Sequence, residues 1–409
     1  MTPATRTSAA PPDVRSQVDE TSPPRRPLDG IVVLDLAHHL AGPTATRSLL
    51  DLGADVVKVE PPGGEPLRSH GPKGDVWMPS PTFLALHRDK LSIELDLKSE
   101  RGRTALEDLA RNADVVVENF RPGVTDRLGI GPSQLRALNP RLVYCSLNGF
   151  GAGGPLTRMA TTDGAVQAFS GVLEMLSGRD EQFGQPASFA IMDLWAGSVT
   201  AQAILATLYQ REHTGTGAYI DMTMVECALF ARMLNPERGL ASPNTVMATT
   251  RDGTRIVVQT APDFVPRFFE LLRMVPGCED IADDPRFATA DARVENEAVY
   301  LERIRTAIAT CSADEWFALF MKAGVPASPV NTIEDALAHP QVVGRSAAGD
   351  IDVPGLGPMT LPAPPFLIDG HRGSVGSAPV ELGVHNAEVM RRFAGYDDQQ
   401  ITDLFGQPR

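Results

Sequence analysis

The hydrophobic pattern after residue 27 alternates short apolar runs with amphipathic stretches. The apolar runs predict buried strands at Gly30–Leu36, Ala54–Glu60, Asp114–Val117 and Leu142–Leu147. The amphipathic stretches between them predict helices at Thr44–Leu52 and Glu100–Asn112. Strands and helices that alternate in this way are typical of a parallel sheet with right-handed crossovers. The first 150 residues are therefore predicted to form a Rossmann-like α/β fold.

The remainder of the chain follows a different pattern. Residues Asp163–Leu234 are predicted to be mostly helical, and the strand Arg255–Thr260 opens a smaller α+β lobe. The helices predicted in this lobe are Phe264–Met274, Glu297–Ala309 and Ala313–Ala323. The tail from Asn331 is rich in Pro and Gly and is expected to wrap over a surface. The predicted division is a lead over 1–26, a large domain over 27–234, a small α+β domain over 249–329 and a returning C-terminal segment over 330–409.

Composition and charge exclude several classes of protein. The chain has 37 Lys and Arg against 51 Asp and Glu, a net charge of −14, so the basic surface of a nucleic-acid-binding protein is not expected. No apolar run approaches the roughly 20 residues that span a bilayer. The first 26 residues lack the apolar core of a secretory signal and are predicted to be a disordered lead. The four cysteines are far apart, without CxxC or His spacing, so a reduced, cytoplasmic enzyme with no metal site is expected.

Two aspartates stand at the predicted starts of helices. Asp193 lies in the mostly apolar stretch Phe189–Ser198. One interpretation is a helix N-cap, which is a common position for Asp. The other is a nucleophile, since a helix N-terminus favours the ionised carboxylate and Gly197 would let another backbone or a ligand approach. Asp163 precedes a second helical run and has the same two interpretations, as a cap or as an acid–base group.

Other candidate groups lie in loops. The stretch Gly149–Pro155 is rich in glycine, but Pro155 spoils the GxGxxG fingerprint and no Walker lysine follows, so a hinged turn is favoured over a dinucleotide site. His38 and His39 follow the first strand, where α/β folds bind ligands. Basic side chains recur in loops and would either capture a phosphate-bearing ligand or remain solvated. These are Arg88, Lys90, Arg121, Arg127 and Arg158.

Several separated motifs, in order, resemble those of the class III CoA-transferase (CaiB/BaiF, formyl-CoA transferase-like) family. The opening PLDGIVVLDLAHHLAGPTATRSLLDLGADVVKVEPPGGEPLR spans Pro27–Arg68. Further motifs are DKLSIELDLKSERGR, ADVVVENFRPGVTDRLGIG, LNPRLVYCSLNGFGAGGP, LYQREHTGTGAYIDMTMVECAL, DDPRFAT and AGVPASPVNTIEDALAHPQV. The likeness covers residues 27 to about 345. The resemblance implies a two-domain subunit in an interlocked homodimer, and an acyl-CoA and a carboxylic acid as substrates with no tightly bound cofactor.

The resemblance also implies roles for particular residues. Asp193 matches the family's nucleophile, which would attack an acyl-CoA thioester to form an aspartyl-acyl anhydride and then an aspartyl-CoA thioester. The positions that match the family's CoA-binding residues are His39, Leu40, Ala41, Lys90, Asn119, Phe120 and Arg127. Arg88 and Arg158 are weaker candidates for the same role.

The chain departs from the family pattern at three places. The first is Leu91, which replaces the arginine usual after the lysine in the motif at Asp89–Ser92. Racemase members carry a His-Asp pair where this chain has Thr162-Asp163, so a two-base proton exchange would lack one base. The family's glycine-rich active-site loop matches the short span Asn235–Thr250, which contains only Gly239. Three hypotheses follow: CoA transfer through Asp193, racemisation of a 2-methylacyl-CoA with Asp163 as an acid or base, and a repurposed CoA-binding protein without activity.

Overall fold

A computed structural model describes residues 26–69, 80–176, 186–187, 189–231, 245–353, 357–377 and 381–406. The predicted lead over 1–26 lies outside these ranges except for Arg26. By the density of internal contacts the chain divides into two compact units. Unit 1 comprises Met1–Leu147, Gly197–Asp221 and Pro379–Arg409, and unit 2 comprises Asn148–Ala196 and Met222–Ala378. The domain boundaries predicted from the sequence differ from these units, notably at 148–196 and 330–378, and the predicted division stays a prediction.

Unit 1 contains a sheet of six strands. They are β1 (Val32–Asp35), β2 (Asp55–Glu60), β3 (Leu91–Glu94), β4 (Val115–Glu118), β5 (Val143–Asn148) and β6 (Tyr219–Thr223). Their order across the sheet is β3-β2-β1-β4-β5-β6, and the pairs among the first five are parallel. In the register, Leu34 of β1 stands between Val57 of β2 and Val116 of β4. Strands buried on both faces need the nearly continuous Val and Leu runs that predicted them.

Helices flank this sheet. They are α1 (Ala41–Asp51), α2 (Pro81–His87), α3 (Glu100–Asn112), α4 (Val124–Leu128) and α5 (Pro132–Leu138). The predicted helix Glu100–Asn112 is confirmed with those bounds, and Ser99 caps it by accepting a hydrogen bond from the Gly102 N–H at 3.0 Å. The C-terminal helices α16 (Asn386–Val389) and α17 (Asp398–Phe405) complete the same hydrophobic core through Val389 and Ile401.

The longest helix, α8 (Ile191–Thr214), begins in the range of unit 2 and ends in that of unit 1. Its side chains at Ala201, Ile204 and Leu208 are buried, at the spacing of a stripe that faces a core. By length and composition alone α8 could cross a membrane, the one such helix in the described ranges. Core helices of water-soluble proteins pass the same test, so this is weak grounds for a membrane span.

Unit 2 contains the remaining elements. Its helices are α6 (Asp163–Ser170), α7 (Val172–Leu176), α9 (Met224–Ala231), α10 (Val265–Arg273), α11 (Ala290–Glu295), α12 (Glu297–Ile308), α13 (Ala313–Ala323), α14 (Ile333–Ala338) and α15 (Pro340–Gly344). Its strands are β7 (Thr245–Thr249), β8 (Arg255–Gln259), β9 (Ala327–Pro329), β10 (Ala348–Val353) and β11 (Gly357–Pro362). The antiparallel sheet β7-β8-β9 and helices α10, α12 and α13 share one apolar core around Phe268 and Trp316.

Two elements differ from the sequence-based expectation. Strand β6 interrupts the stretch that was predicted to be mostly helical. Its Tyr219 and Asp221 are exposed while the residues between and after them are more buried, which is the two-residue alternation of an edge strand. The strand β3, of only four residues, was not predicted as a separate element. Both strands lie at the edges of the sheet, where the apolar signal is weakest.

Candidate functional site

The carboxyl ends of β1 and β4 form the first candidate site, within unit 1. The chain runs from β1 through β2 to β3 on one side and then returns to place β4 on the other side of β1. In open α/β sheets ligands bind at the strand ends where the order reverses in this way. The loop after β1 carries His38–Ala41, and the loop after β4 carries Asn119 and Phe120. Most of the predicted CoA-binding residues therefore lie at this reversal.

The two loops hold each other by a clamp. The Asn119 side chain accepts a hydrogen bond from the His38 N–H at 2.7 Å and donates one to the His38 carbonyl at 2.7 Å. The Phe120 ring meets the His38 ring edge to face, with centroids 5.3 Å apart. Burial, with the Lys58 charge next, lowers the pKa of His38 to about 4, so its imidazole is neutral at pH 7. Asn119 thus has a positioning role for the loop that follows β1.

A cavity of about 510 Å³ opens beside this clamp. Its walls are Leu36, His38, Val59, Glu60, Pro61, Pro62, Leu95, Asp96, Leu97, Lys98, Phe120, Val124 and Leu128. The lining is mainly apolar, with the His38 and Phe120 rings, which suits a flat ring system. Its charged residues are Lys98, Asp96 and Glu60, of which Glu60 is paired with Arg68. Pro61, Pro62 and Lys98 were not predicted from the sequence, although the two prolines directly follow β2 and Lys98 comes shortly after β3, at the sheet edge where ligands bind.

Lys90, whose CoA-binding role stays a prediction, is buried in this structure. It is 1% exposed, and its ammonium donates to Asp35 Oδ2 at 2.9 Å, to Thr46 Oγ1 at 2.8 Å and to the Pro43 carbonyl at 3.1 Å. An ammonium has three donor hydrogens, and these contacts use all of them. The structure therefore places Lys90 in the buried support of α1, and not as a free cation for a phosphate.

The carboxylate that Lys90 contacts is itself fully buried. Burial alone would raise the pKa of Asp35, but Lys58 and Lys90 outweigh it and hold that pKa below its usual value. Burial lowers the pKa of Lys90 to about 8 although Asp35 opposes the change, so both groups are charged at pH 7. Asp35 also accepts the Ala37 N–H at 3.0 Å, which ties this ion pair to the loop after β1.

Glu65 supports the same loop and was not singled out from the sequence. Its Oε2 accepts the N–H of His39 at 3.1 Å, and His39 has a left-handed φ of 62°. Its Oε1 lies 3.4 Å from Nε2 of His87, with both side chains fully buried. Burial raises the pKa of Glu65 and lowers that of His87 well below its usual value. The acid after the Pro-Pro-Gly-Gly turn thus stabilises a strained backbone position at the site.

Glu118 supports the loop after β4 in a similar way. One of its oxygens accepts the Phe120 N–H at 2.8 Å, and the other accepts the Ser146 hydroxyl. Burial raises the pKa of Glu118 to about 7, although both hydrogen bonds oppose the shift. Glu118 was not predicted from the sequence, because it ends a strand whose apolar run indicates only a buried strand.

The remaining predicted CoA-binding residues are divided between the units. Leu40 and Ala41 begin α1, and Arg127 is exposed near the end of α4. Arg88 is 5% exposed and donates to the Ala85 carbonyl at 3.2 Å, which indicates a structural position. Arg158 is exposed in unit 2.

The second candidate site, in unit 2, brings Asp163 and Asp193 together. Asp193 is the third residue of α8, so it is inside the first turn and is not the N-cap that one interpretation proposed. Asp163 begins α6, and its Oδ2 accepts the N–H groups of Met192 at 2.6 Å and Asp193 at 2.9 Å. Asp163 therefore is a cap, but of α8 and not of its own helix.

The Asp193 carboxyl lies in a partly buried, acidic environment. Burial, with the negative charge of Asp163 next, raises its pKa to about 7. A helix N-terminus favours the ionised form by roughly 0.3–1 kcal/mol, and the raised value indicates that burial outweighs this effect. Among the described residues, burial and the charge of Asp163 account for this shift, and no side-chain hydrogen bond to the carboxylate contributes to it.

Gly197, one turn after Asp193, permits a close approach as the sequence predicted. A Cβ atom at this position would lie 2.6 Å from the Ala41 carbonyl oxygen and 2.7 Å from Thr44 Cβ. Both partners belong to α1, within unit 1. Only glycine lets α8 contact the first turn of α1 in this way.

Two further predictions concern a loop and a metal. The short active-site loop predicted over Asn235–Thr250 lies largely outside the described residues, which resume with β7 at Thr245. Within the described ranges, no three His, Cys, Asp or Glu side chains are grouped so as to hold a metal ion.

Comparison with known proteins identifies the family. The model of CoA-transferase family III matches residues 28–386. Acetyl-CoA:oxalate CoA-transferase of Acetobacter aceti is 36% identical over 355 residues, 82% of this chain and 90% of that protein. Succinyl-CoA:glutarate CoA-transferase of Mus musculus is 30% identical over 394 residues, 93% of this chain and 89% of that protein.

Solved structures agree with this result. The crystal structure of Rv3272 from M. tuberculosis has a TM-score of 0.78 at 32% identity, and the match covers 89% of this chain and 99% of that one. A CaiB/BaiF family protein from Brucella suis also has a TM-score of 0.78 at 32% identity, over 90% of this chain and 99% of that one. The mixed α/β fold with a parallel central sheet matches these structures. The chain belongs to CoA-transferase family III and is an enzyme of the CoA-transferase class.

Proposed function

We propose that the enzyme moves CoA from an acyl-CoA to a free carboxylic acid through covalent intermediates on Asp193. The carboxylate attacks the thioester carbonyl and expels CoA thiolate, which leaves an aspartyl-acyl anhydride. The thiolate then attacks the aspartyl carbonyl of the anhydride, so that the first acid departs as a carboxylate and an aspartyl-CoA thioester remains. The incoming carboxylate repeats these two steps in reverse order, which forms the new acyl-CoA and regenerates Asp193.

The observation that carries this proposal is the state of the Asp193 carboxyl. It is partly buried, has no hydrogen-bond donor among the described side chains, and its pKa is raised to about 7. A carboxylate of that basicity is a stronger nucleophile than a solvated aspartate, and above pH 7 it is still mainly ionised. The pKa therefore suits attack on a thioester near neutral pH.

The cavity at the ends of β1 to β4 is proposed to hold the nucleotide half of CoA. Its apolar walls would pack on the adenine ring, with Phe120 and Leu97 as main contacts. Lys98 lines the same cavity. Arg127 is exposed and directly precedes Leu128, which is another residue of the lining. These two cations are proposed to meet the phosphates, because Lys90 and Arg88 are buried.

The acceptor is proposed to be a short dicarboxylic acid. Two relatives support this proposal, because one is named as a CoA-transferase for oxalate and the other as a CoA-transferase for glutarate. The panel to test is therefore acetyl-CoA, succinyl-CoA and formyl-CoA as donors, each with oxalate, glutarate or succinate as acceptor.

Trapping tests the covalent route directly. Incubation of the protein with each donor and hydroxylamine should convert activated Asp193 into a hydroxamate, which peptide mass spectrometry would locate. The control is the same incubation with free CoA, which cannot activate the carboxyl. A protein that exchanges CoA between acids while Asp193 stays unmodified in every incubation would contradict the covalent route.

Racemisation is not favoured. It requires a free acid or base at Asp163, but both oxygens of that carboxylate accept hydrogen bonds, from α8 and from Gln167. This chain has Thr162 at the position where racemase members carry histidine. Solvent deuterium entering the α-carbon of an acyl-CoA without any acceptor acid would restore the racemase hypothesis.

A homodimer is the second part of the proposal. Unit 2 exposes large apolar side chains on its helices: Phe169 of α6, Leu229 and Phe230 of α9 and Ile333 of α14 are each at least half exposed. No residue of α14 or α15 is buried. Apolar surface of this extent is normally covered in oligomers, and a second copy is the occupant that the family resemblance implies.

We expect the protein to elute in sizing experiments at twice the chain mass of 43.9 kDa. The double variant Leu229→Asp, Phe230→Asp should shift it toward the monomer, since two charges would be desolvated at the contact. The matched control is Lys322→Asp, an exposed change away from these helices. A dimer with a Kd of about 1 μM would be largely formed at a protein concentration of about 50 μM. A wild-type protein that stays monomeric at that concentration would refute the dimer.

A cytoplasmic location is proposed on the basis of the cysteines. All four are free: Cys145, Cys227 and Cys278 are buried and Cys311 is partly exposed. Free thiols persist in reducing compartments. Fractionation of the source cells with an antibody to the protein would test this location.

A further inference from the structure

The start of α8 lacks a capping side chain of its own. The residue before the helix is Ala190, whose carbonyl accepts the Leu194 N–H at 3.0 Å as the first hydrogen bond of the helix. The N–H groups of the first turn precede the helical ladder and need acceptors from elsewhere. Alanine has no side-chain oxygen to serve them, so the local sequence leaves these donors without a cap.

Asp163 serves those donors from another helix. Its Oδ2 accepts two consecutive N–H groups, those of Met192 and Asp193, which are the groups that an N-cap side chain normally serves. The second of them belongs to the candidate nucleophile itself. The backbone of Asp193 is thus held by the carboxylate of Asp163 directly.

Gln167 holds Asp163 in turn. It lies one turn later on α6, is fully buried, and donates its Nε2 to Asp163 Oδ1. Its Oε1 accepts the Ala187 N–H at 3.0 Å, in the segment that leads into α8. Asp163 Oδ2 and the Gln167 oxygen therefore contact the first turn of α8 and the segment before it, while Asp163 Oδ1 is held by Gln167 within α6.

We propose that Asp163 is a positioning residue for the transfer reaction: it caps α8 from α6, orients the Asp193 carboxyl, and takes no proton during turnover. This inference rests on the proposed role of Asp193 as nucleophile. It replaces the acid–base role that the sequence left open for Asp163.

The like charge of Asp163 gives the proposal a distinctive pH dependence. The neighbouring α9 is joined to α8 by the hydrogen bond from Trp195 Nε1 to the Cys227 carbonyl at 3.0 Å. It carries Glu226, which is exposed, and Cys227, whose pKa burial raises to about 11 and which is therefore neutral. Of the described charged groups, Asp163 is the one that acts on the Asp193 carboxyl. Removing the charge of Asp163 lowers the pKa of Asp193. Removing its oxygens leaves the Met192 and Asp193 N–H groups without the acceptor that holds the first turn of α8.

Two substitutions separate these effects. Asp163→Asn keeps an oxygen for the α8 N–H groups and removes the charge, and Asp163→Ala removes both. The double variant Asp163→Asn, Gln167→Glu restores the pairing, since the new amide can donate to the new carboxylate, which still accepts the Ala187 N–H. The readouts are kcat, KM for acyl-CoA and the pH profile of hydroxamate trapping.

The expected results differ in kind. Asp163→Asn and the double variant retain at least about a third of wild-type kcat at pH 8, and the acid limb of Asp163→Asn moves down by about one pH unit from a wild-type midpoint near 7. Asp163→Ala loses about 100-fold in kcat at every pH, with KM for acyl-CoA within about threefold of wild type, because the nucleophile is misplaced.

Two outcomes would overturn the inference. Loss of activity to the level of Asp163→Ala in both Asp163→Asn and the double variant would show that the ionisable group itself is needed at position 163, as an acid or base requires. An acid limb that stays at the wild-type midpoint in Asp163→Asn would show that Asp163 does not act on Asp193. A wild-type protein that forms no Asp193 hydroxamate would instead remove the proposed function, and this inference with it, before any variant is compared.

Discussion

Substitution of Asp193 by alanine should abolish CoA transfer, with kcat reduced by at least about 10⁴-fold, comparable to the loss of a nucleophile in other covalent enzymes. The reason is chemical: alanine has no carboxylate to attack the thioester, so neither the anhydride nor the aspartyl-CoA thioester can form. The affinity for CoA should change by less than about threefold, because the cavity assigned to its nucleotide half is built from other residues.

The measurement pairs turnover with binding. Steady-state transfer gives kcat and KM, and isothermal titration with CoA gives Kd for the same preparation. Leu194→Ala, at the next and more exposed position of α8, is the matched control and should keep most of the activity. An Asp193→Ala protein with more than a few percent of wild-type turnover would remove Asp193 as the nucleophile.

The same position should show the cost of the raised pKa in stability. The folded-state pKa of Asp193 is about 7, against an ordinary value of 3.8, so the ionised carboxylate is disfavoured in the native protein. Its contribution to stability is fully present below pH 3.8 and is lost as the pH rises through 7. Asp193→Asn escapes this loss and should raise the free energy of unfolding by on the order of 3 kcal/mol at pH 8.

Comparison of Tm at two pH values checks this effect. The gain should be present at pH 8 and should largely vanish at pH 4, where the wild-type carboxyl is protonated. A gain of equal size at both pH values would indicate better packing of the amide instead of relief of charge.

Substitution of Lys90 by methionine should cost about 3–5 kcal/mol of folding free energy, because it breaks a buried ion pair from one side. Of its two lysine partners Asp35 would keep only Lys58, whose ammonium is 3.8 Å from it and also donates to the Ala37 carbonyl. The Thr46 hydroxyl and the Ala37 N–H would still donate to Asp35, but neither carries a charge. Urea unfolding followed by circular dichroism measures the loss. The expected defect is thus in stability, although the family resemblance matches Lys90 to a CoA-binding residue.

Arg127→Gln is the contrasting variant for Lys90→Met. Arg127 is exposed, so its loss should leave the unfolding midpoint within measurement error, while KM for acyl-CoA rises through the lost phosphate contact. If Lys90→Met instead folds with wild-type stability and binds CoA weakly, Lys90 is a ligand of CoA. Its contacts to Asp35 and Thr46 would then contribute little to stability.

Local patterns were sufficient for much of the fold. The helix Glu100–Asn112 follows from its capping serine and its amphipathic spacing, and the central strands follow from uninterrupted Val and Leu runs. These signals depend only on residues a few positions apart. The edge strands β3 and β6 are short, and both interleave polar residues with apolar ones, Ser92 in β3 and Asp221 in β6. Their apolar signal is therefore too weak to separate them from neighbouring segments.

The family motifs likewise identified the candidate site as a set of residues, but not what each side chain does there. Lys90 and Asp35 are 55 positions apart, His38 and Asn119 are 81 apart, and Asp163 reaches the N–H of Asp193 across 30. Strand order and helix packing bring such distant residues together. Neither produces a periodic pattern in the sequence from which the partners could be predicted.

The amino-acid sequence by itself therefore determined the family and the parallel α/β sheet, and it predicted Asp193 as the nucleophile. Only the tertiary structure decided that Asp163 caps the helix of Asp193 and that the Lys90 ammonium donates its hydrogen bonds to buried groups of the protein. The physical reason is that a charge or a hydrogen-bond donor takes its role from the groups that burial places next to it, and those groups come from distant parts of the chain.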